Sequence, residues 1–409
     1  MDLLELMARA PGAPAVLDAL GAEPGAYVVG GAVRDALLGR VPRELDVVVE
    51  GDAAPVARRA ADRLGGDVVV HDRFGTAIVR SPAATFDVVT ARTETYSHPG
   101  ALPDVRLGAS IEEDLARRDF TVNAIALRLA DGALTEFPGA RADLGAGVLR
   151  VLHERSFEDD PTRLLRLARY AARLGFEPDP DTDALAARAR ADTVSGGRLG
   201  SELRLLLREP QPAALLELER HGLGRAVVHP GFRVDRAVLE RALALTPPDA
   251  RADLVALATT LGGTPGADAH DLSVALDRLE FDARSRGIVA KAADGASRLC
   301  DALELEDPAL EDSELTDADL WRTLHRRTPE AVAVAGALCP GRAEEAARRW
   351  LSDVRHRRLA ITGDDFVAAG LTGPAVGDAL EAAQLAALAG EAPGAEEQLA
   401  AGLAAVRPS

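Results

Sequence analysis

The segment Tyr27-Val-Val-Gly30-Gly31-Ala-Val-Arg34-Asp35 runs from an apolar stretch through a glycine pair into a helical pattern. Glu44-Leu-Asp46 then opens a second apolar run. In a strand, side chains at i and i+2 point to the same side, so Glu44 and Asp46 form a pair of hard oxygen ligands. Gly30 and Gly31 allow a phosphate to approach the backbone, and the helix start beyond them offers N–H donors. A phosphate cradle beside paired carboxylates suits nucleotidyl transfer, in which two metal ions activate the attacking oxygen and stabilise the leaving pyrophosphate. Taken alone, the segment also reads as an ordinary strand–turn–helix. It carries no G-x-G-x-x-G, so dinucleotide binding loses its main support.

Further candidates follow along the chain. Asp87, in Phe86-Asp-Val-Val89, is a third acidic group on a neighbouring strand, either a general base or metal ligand or a plain strand-edge aspartate. Arg117-Arg118-Asp119 precedes Phe-Thr-Val-Asn123-Ala, where a capped helix start is the alternative reading. Asp160 and Arg163, in Asp159-Asp160-Pro-Thr-Arg163-Leu-Leu-Arg166, have the i,i+3 spacing that shares one face of a helix. A carboxylate acceptor beside a guanidinium donor complements a base edge with an amino group next to an unprotonated ring nitrogen. Cytosine and adenine carry that edge; guanine and uracil present the reverse. Bidentate matching of this type gives about 1–3 kcal/mol of discrimination with no template. A salt-bridge ladder continuing through Arg166 and Arg169 is the other reading.

These motifs, in this order, resemble those of the class II tRNA nucleotidyltransferase and bacterial poly(A) polymerase family. That family comprises CCA-adding enzymes and their CC-adding, A-adding and poly(A)-adding relatives. The four motifs cover roughly the first half of the chain. A weaker match, Ile361-Thr-Gly-Asp-Asp-Phe366 through Gly370 to Gly373-Pro374, resembles the family's C-terminal region. The resemblance implies an α+β chain: a polymerase-β-like head with a mixed sheet over 1–149, then all-helical parts. These are a neck for base recognition over 150–215 and a body and tail for tRNA binding over 216–409.

It also implies attack of an RNA 3′-hydroxyl on the α-phosphate of CTP or ATP, with Mg²⁺ held by Glu44 and Asp46. Gly30, Gly31 and Arg34 would hold the triphosphate, unless Asp35 anchors Arg34 instead. Arg118 would contact the nucleotide, and Asp119 and Asn123 would read the ribose 2′-hydroxyl. Asp160 and Arg163 would read the base, with Arg166 and Arg169 reaching base or phosphates, and Arg198 and Glu202 would brace the helix behind them. The family pattern is Asp-x-Asp, so Glu44 is a departure that moves one carboxylate by about one C–C bond, a change Mg²⁺ geometry registers. Addition of only CC, only A or poly(A), and a catalytically weak RNA-binding paralogue, remain alternatives. A small-molecule nucleotidyltransferase would lack Asp160-x-x-Arg163 and the long helical half.

Composition sets the remaining bounds. A chain of 409 residues suggests two to four packed units. Hydrophobic residues make up 47% but aromatics only 3%, which favours helices packed through small aliphatic side chains. A formal charge of −18 argues against a uniformly basic nucleic-acid binder, yet leaves room for a local basic stripe. Lys291 is the one lysine, and Lys291-Ala-Ala-Asp-Gly295 reads as a helix end with a glycine stop. Cys300 and Cys339 read as reduced thiols. No N-terminal signal or membrane-length apolar run is present, so residence in the cytoplasm is expected. The segment 254–262 has no His-Asp pair, and His270-Asp271 reads as a helix cap, so no phosphohydrolase activity is expected. A helix over about 3–20, a hairpin over 67–80 turned at 71–76, and a helix ending at Gly175 are predicted. Residues 93–109 read as a connector or a mobile element, with breaks at 246–249 and 262–266.

Overall fold

The computed structural model describes residues 3–71, 75–262, 268–304 and 315–406. The chain divides into two compact units, Met1–Glu209 and Pro210–Ser409.

The first unit is built on a seven-stranded mixed sheet. Its elements are α1 (Leu3–Met7), α2 (Ala13–Leu20), β1 (Ala26–Val29), α3 (Gly31–Leu37), β2 (Val47–Val49), α4 (Ala53–Leu64), β3 (Asp67–His71), β4 (Thr76–Arg80), β5 (Thr85–Thr90), β6 (Arg92–Thr95), β7 (Asp104–Leu107), α5 (Ile111–Ala116), β8 (Ile125–Arg128), β9 (Leu134–Glu136), α6 (Ala140–Ala146), β10 (Val148–Leu149), α7 (Ser156–Asp159), α8 (Thr162–Leu174), β11 (Glu177–Pro178), α9 (Pro180–Arg188) and α10 (Gly196–Leu206). Strand order is β3-β4-β5-β2-β1-β8-β9. β1 lies antiparallel to both β2 and β8, whereas β2 and β5 run parallel, with Val47 opposite Val88. The valine-rich β1 and β2 are buried along their whole length, as β-branched runs covered on both faces should be. Toward the sheet edge, β3 alternates between exposed and half-buried positions.

The predicted helix over 3–20 is in fact two helices, because Pro11 and Gly12 interrupt it and Gly12 adopts φ 73°. The 67–80 hairpin is present as β3 and β4, although part of its turn lies outside the described residues. Residues 93–109 form an antiparallel hairpin, β6 with β7, rather than an unstructured connector. The expected break at 149/150 does not separate compact units. Helix α8 buries Leu164, Leu165, Leu167, Ala168 and Ala171, and its arginines reach side chains of the head, so the neck helices belong to the same unit. Gly175 ends α8 at φ 72°, a left-handed value that favours glycine.

The second unit is helical: α11 (Ala213–Arg220), α12 (Arg236–Leu245), α13 (Ala252–Leu261), α14 (Ala269–Arg278), α15 (Ala283–Glu304), α16 (Asp317–Leu324), α17 (Pro329–Leu338), α18 (Arg342–Ser352), α19 (Gly363–Ala368), α20 (Pro374–Leu388) and α21 (Ala395–Val406). The break at 246–249 falls between α12 and α13. Gly262 ends α13, and most of the second expected break lies outside the described residues. His270 and Asp271 sit in the first turn of α14, where Asp268 is the capping side chain.

Two sequence expectations need correction here. The 22-residue α15 runs through Lys291 and Gly295 without stopping. A helix-interior glycine costs about 1 kcal/mol, and the buried face of Ala292, Ala293, Ala296 and Leu299 offsets that. Cys300 and Cys339 are joined in a disulfide rather than being free thiols. The packing of α15 against α17 brings their Cα atoms to 6.2 Å, within the range a disulfide spans. Among the described residues, no helix is long and apolar enough to cross a membrane.

Candidate active site

The three candidate carboxylates meet at one end of the β2–β5 pair. Asp46 and Asp87 each precede a residue of the Val47–Val88 register pair, so they sit side by side on parallel strands. Glu44 lies in a bend before β2, and Asp46 immediately precedes the strand rather than opening it. The Asp46 carbonyl still accepts from the Val29 amide at 3.0 Å, which keeps it in line with β1. All three side chains are exposed. Asp46 keeps a path to solvent, but protein surrounds it on most sides. That loss of hydration raises its pKa, Glu44 and Asp87 raise it further, and Arg118 pulls the other way.

Such a concentration of unmatched negative charge, with hard oxygen donors from two neighbouring strands, fits a divalent cation. Among the described residues, no group of three or more His, Cys, Asp or Glu side chains is assembled to hold one. The protein thus offers a partial oxygen set of the kind that Mg²⁺ completes with water and substrate oxygens.

Gly30 turns the chain from β1 into α3 at φ 66°, ψ −126°. A Cβ there would lie 2.7 Å from Nη1 of Arg118. Arg118 therefore lies directly against the glycine turn, and its Nη2 donates to Asp114 at 3.0 Å. Its Nε is buried with no hydrogen-bond partner in the structure. Arg34 is placed differently. It is 1% exposed, with Nε and Nη2 donating to Asp35 Oδ1 at 2.9 and 2.7 Å and Nη1 donating to Asn123 Oδ1 at 2.6 Å. The structure thus holds Arg34 in the arrangement in which Asp35 anchors it.

Asp119 and Asn123 are buried as well. Asn123 donates to Asp119 Oδ1 at 2.9 Å, and Arg166 donates through Nε to Asp119 Oδ2 at 2.8 Å. Arg166 also pairs with Glu202 at 3.0 Å and donates to the Tyr170 hydroxyl at 3.1 Å. Arg169 lies 3.3 Å from Glu202, and Arg34, Arg166 and Arg169 all lie over the Tyr170 ring at 4.8–5.5 Å from its centroid. Burial alone would raise the Asp119 pKa. The Arg166 charge, with hydrogen bonds from Asn123 and Arg166, outweighs it and lowers the carboxyl to about 2.

Asp160 and Arg163 do not share a helix face. Asp160 precedes α8, and its Oδ1 accepts from the Thr162 amide at 3.1 Å and the Thr162 hydroxyl at 2.7 Å. The same oxygen accepts from Arg198 Nη2 at 2.8 Å, while Arg198 Nη1 donates to the Gly100 carbonyl in the β6–β7 connection at 3.1 Å. Arg163 is buried, donating to Ser156 Oγ at 2.7 Å and to the Arg117 carbonyl at 2.8 Å. The i,i+3 spacing does not apply because α8 begins at Thr162 with Pro161 as its N-cap residue, which leaves Asp160 outside the helix.

Three further participants were not singled out from the sequence. Asp114 binds both Arg117 and Arg118, and its i,i+3 and i,i+4 spacing to them was visible. Glu94 pairs with Arg117 across 23 positions, which no local pattern shows. Tyr170 lies four residues after Arg166 on α8, a spacing that could have marked it.

The Asp119 pair makes stability depend on pH. A carboxyl lowered from 3.8 to about 2 contributes about 2 kcal/mol, fully present above pH 4 and lost as pH falls through 2. Asp119→Asn should lower the melting temperature at pH 7 and flatten the acid limb of the stability curve between pH 4 and 2, read by thermal melts across that range.

Residues 26–150 match the family model described as poly A polymerase head domain. The A-adding tRNA nucleotidyltransferase of Aquifex aeolicus is 42% identical over 227 residues, covering 54% of this chain and 27% of that protein. Matches to three A-adding relatives span about a quarter to a half of their length (24–46%). The CC-adding tRNA nucleotidyltransferase of Deinococcus radiodurans is 41% identical, covering 54% of this chain and 59% of that protein. The multifunctional CCA protein of Xanthomonas campestris pv. campestris is 33% identical over 89% of this chain and 98% of its own length. A solved apo CCA-adding enzyme superposes with a TM-score of 0.82 at 27% identity, covering 99% of each chain. The Thermotoga maritima CCA-adding enzyme with tRNA gives 0.79 at 25% identity, over 100% of this chain and 99% of that one. A CCA-adding enzyme with ATP gives 0.80 at 26% identity, over 100% and 98%. With a shared head, shared topology and a relative matched along nearly its whole length, this chain belongs to the class II tRNA nucleotidyltransferase and poly(A) polymerase family.

Proposed function

We propose that this protein adds C and A nucleotides from CTP and ATP to the 3′ end of tRNA without a template. The observation that carries the chemistry is the meeting of Glu44 and Asp46, just before β2, with Asp87 on the adjacent β5, beside Arg118 and the Gly30 turn. The relative matched over most of both chains is a multifunctional CCA protein, which favours addition of both nucleotides. The A-adding and CC-adding relatives match about half of this chain at nearly equal identity, so they favour neither narrower activity.

In the reaction, the RNA 3′-hydroxyl oxygen forms a bond to the α-phosphorus while the bond to the β-phosphate oxygen breaks, releasing pyrophosphate. Mg²⁺ held by Asp46 and Glu44 would supply charge neutralisation at the triphosphate and acidify the attacking hydroxyl. Asp87, exposed beside Asp46, is positioned to accept the hydroxyl proton. Arg118 offers its guanidinium to the phosphates at the Gly30 turn, where the missing Cβ lets the guanidinium lie against the backbone. Arg34, Asp119, Asn123 and Arg166 act from behind, as a buried frame that holds the turn and α8 in place. Asp160 and Arg163 read the base edge, with Arg198 orienting Asp160.

The test supplies Mg²⁺ and each NTP, singly and together, to tRNA ending before CCA, in C, or in CC. Ordered addition of C, C and A is expected. Addition of C alone, A alone or long A tails would replace this reading with a narrower one. Retained tRNA binding without incorporation, cured by Glu44→Asp, would make the protein a weakened RNA-binding paralogue.

Two substitutions follow. Asp46→Asn should cut incorporation by about 100-fold or more with the melting temperature little changed, because a charge poised for the transition state is lost. Gly30→Ala should cost about 1–3 kcal/mol of stability from its backbone conformation and push Arg118 off the turn. Its signature is a raised KM for both CTP and ATP, measured on tRNA ending in CC and before CCA; an unchanged KM would remove Arg118 from the phosphate site.

A further inference from the structure

Asp114 has no solvent exposure, yet its two carboxylate oxygens serve different parts of the site. Oδ1 accepts from Arg117 Nε at 3.0 Å, from Arg117 Nη2 at 2.8 Å and from the Arg92 amide at 3.2 Å. Oδ2 accepts from Arg118 Nη2 at 3.0 Å.

The contacts beyond each oxygen diverge. From Oδ2 they lead through Arg118 to the Gly30 turn. From Oδ1 they lead to Arg117, whose carbonyl receives Arg163 Nη2 at 2.8 Å. Arg117 Nη1 also pairs with Glu94 Oε1 at 2.8 Å, and Glu94 in turn receives Arg92 Nε and the Tyr96 hydroxyl. On this side lies a cavity lined by Glu94, Tyr96, Arg117, His153 and Arg163 among others.

Two adjacent guanidiniums repel, and Asp114 supplies one negative charge between them. On the Arg117 side Glu94 adds a second negative charge, whereas Arg118, the arm that faces the turn, pairs with the shared carboxylate. The carboxylate is kept in its charged form against burial by Arg117 and Arg118. A buried, saturated carboxylate fixes its donors in direction as well as in distance.

We infer that Asp114 is a positioning residue for both ends of the bound nucleotide. Oδ2 sets Arg118 against the phosphates. Oδ1 sets Arg117 and, through its carbonyl, the base-reading Arg163. Triphosphate affinity and base selectivity are thereby coupled through one carboxylate. This rests on the nucleotidyltransferase reading above. A purely structural Asp114 would move stability alone.

The experiment measures equilibrium binding of CTP, ATP, UTP and GTP with Mg²⁺ to the full chain, apart from incorporation. Four variants are compared after melting temperatures are checked. Arg118→Ala should weaken all four nucleotides by about tenfold, the loss of one charged hydrogen bond, and leave the CTP-to-UTP preference intact. Glu94→Gln, which disturbs only the Arg117 side, should lower that preference several-fold and leave CTP affinity within about twofold. Asp114→Asn should do both at once. Asp114→Glu, which keeps the charge but shifts it, should fold and move both readouts in the same direction by less.

Asp114 variants that lower the melting temperature while affinity and preference stay at wild-type values overturn the inference. So does Asp114→Glu moving one readout without the other, a result that stands even if Asp114→Asn does not fold. A wild-type chain that binds CTP and ATP selectively but incorporates neither overturns the catalytic reading and leaves this inference standing. A wild-type chain that binds no nucleotide overturns both.

Discussion

The ion pair between the buried Asp119 and the partly buried Arg166 is the contact on which the first unit depends. Asp119 receives its own following amide at Phe120 and the Asn123 side chain, and Asn123 receives Arg34. One carboxylate thus joins the turn after β1, the segment after α5 and helix α8. A buried charge pair of this kind is strongly destabilising when only one partner is present. The head and neck elements are therefore held as one body, and the Gly30 turn inherits its position from a helix more than a hundred residues away. The Tyr170 ring beneath three guanidiniums adds a face that attracts cations without needing another carboxylate.

The carboxylates of this unit fall into two kinds. Asp114 and Asp119 are buried against arginines and held below the ordinary carboxylate range. Asp46 is raised, first by its loss of hydration and then by Glu44 and Asp87, against the pull of Arg118. Matched carboxylates serve as framework; the unmatched ones mark where the protein has left its negative charge for something else to balance. This separation also leaves room for local positive charge within a chain whose formal charge is −18. Arg118, paired with Asp114 beside the Gly30 turn, sets a local cation against that total.

Much of this was legible in the sequence because the decisive spacings are short. Gly30-Gly31, Glu44-x-Asp46 and the segment from Arg117 to Asn123 each carry their meaning within a few residues, and valine runs marked β1 and β2. The direction of the arginines was not legible. Arg34 and Arg166 face inward because partners distant in sequence claim them, and residue type alone cannot separate an arginine that meets a ligand from one that meets Asp119. Asp160 has helical spacing to Arg163 but lies before α8, because Pro161 is the N-cap residue and the helix begins at Thr162. The β6–β7 hairpin, the Glu94–Arg117 pair and the Cys300–Cys339 bond all join residues whose proximity arises only from tertiary packing.

The uninterrupted α15 carries the sole lysine of the chain on an exposed position. Guanidinium stays protonated far above any physiological pH and does not react as an amine. Acyl transfer to side-chain amines can therefore reach this protein at one point, remote in sequence from every residue of the candidate site. Acetylation cannot erase the arginine charges of the first unit, and an amine-reactive dye, apart from the chain's own terminus, would report from a single address on the helical unit.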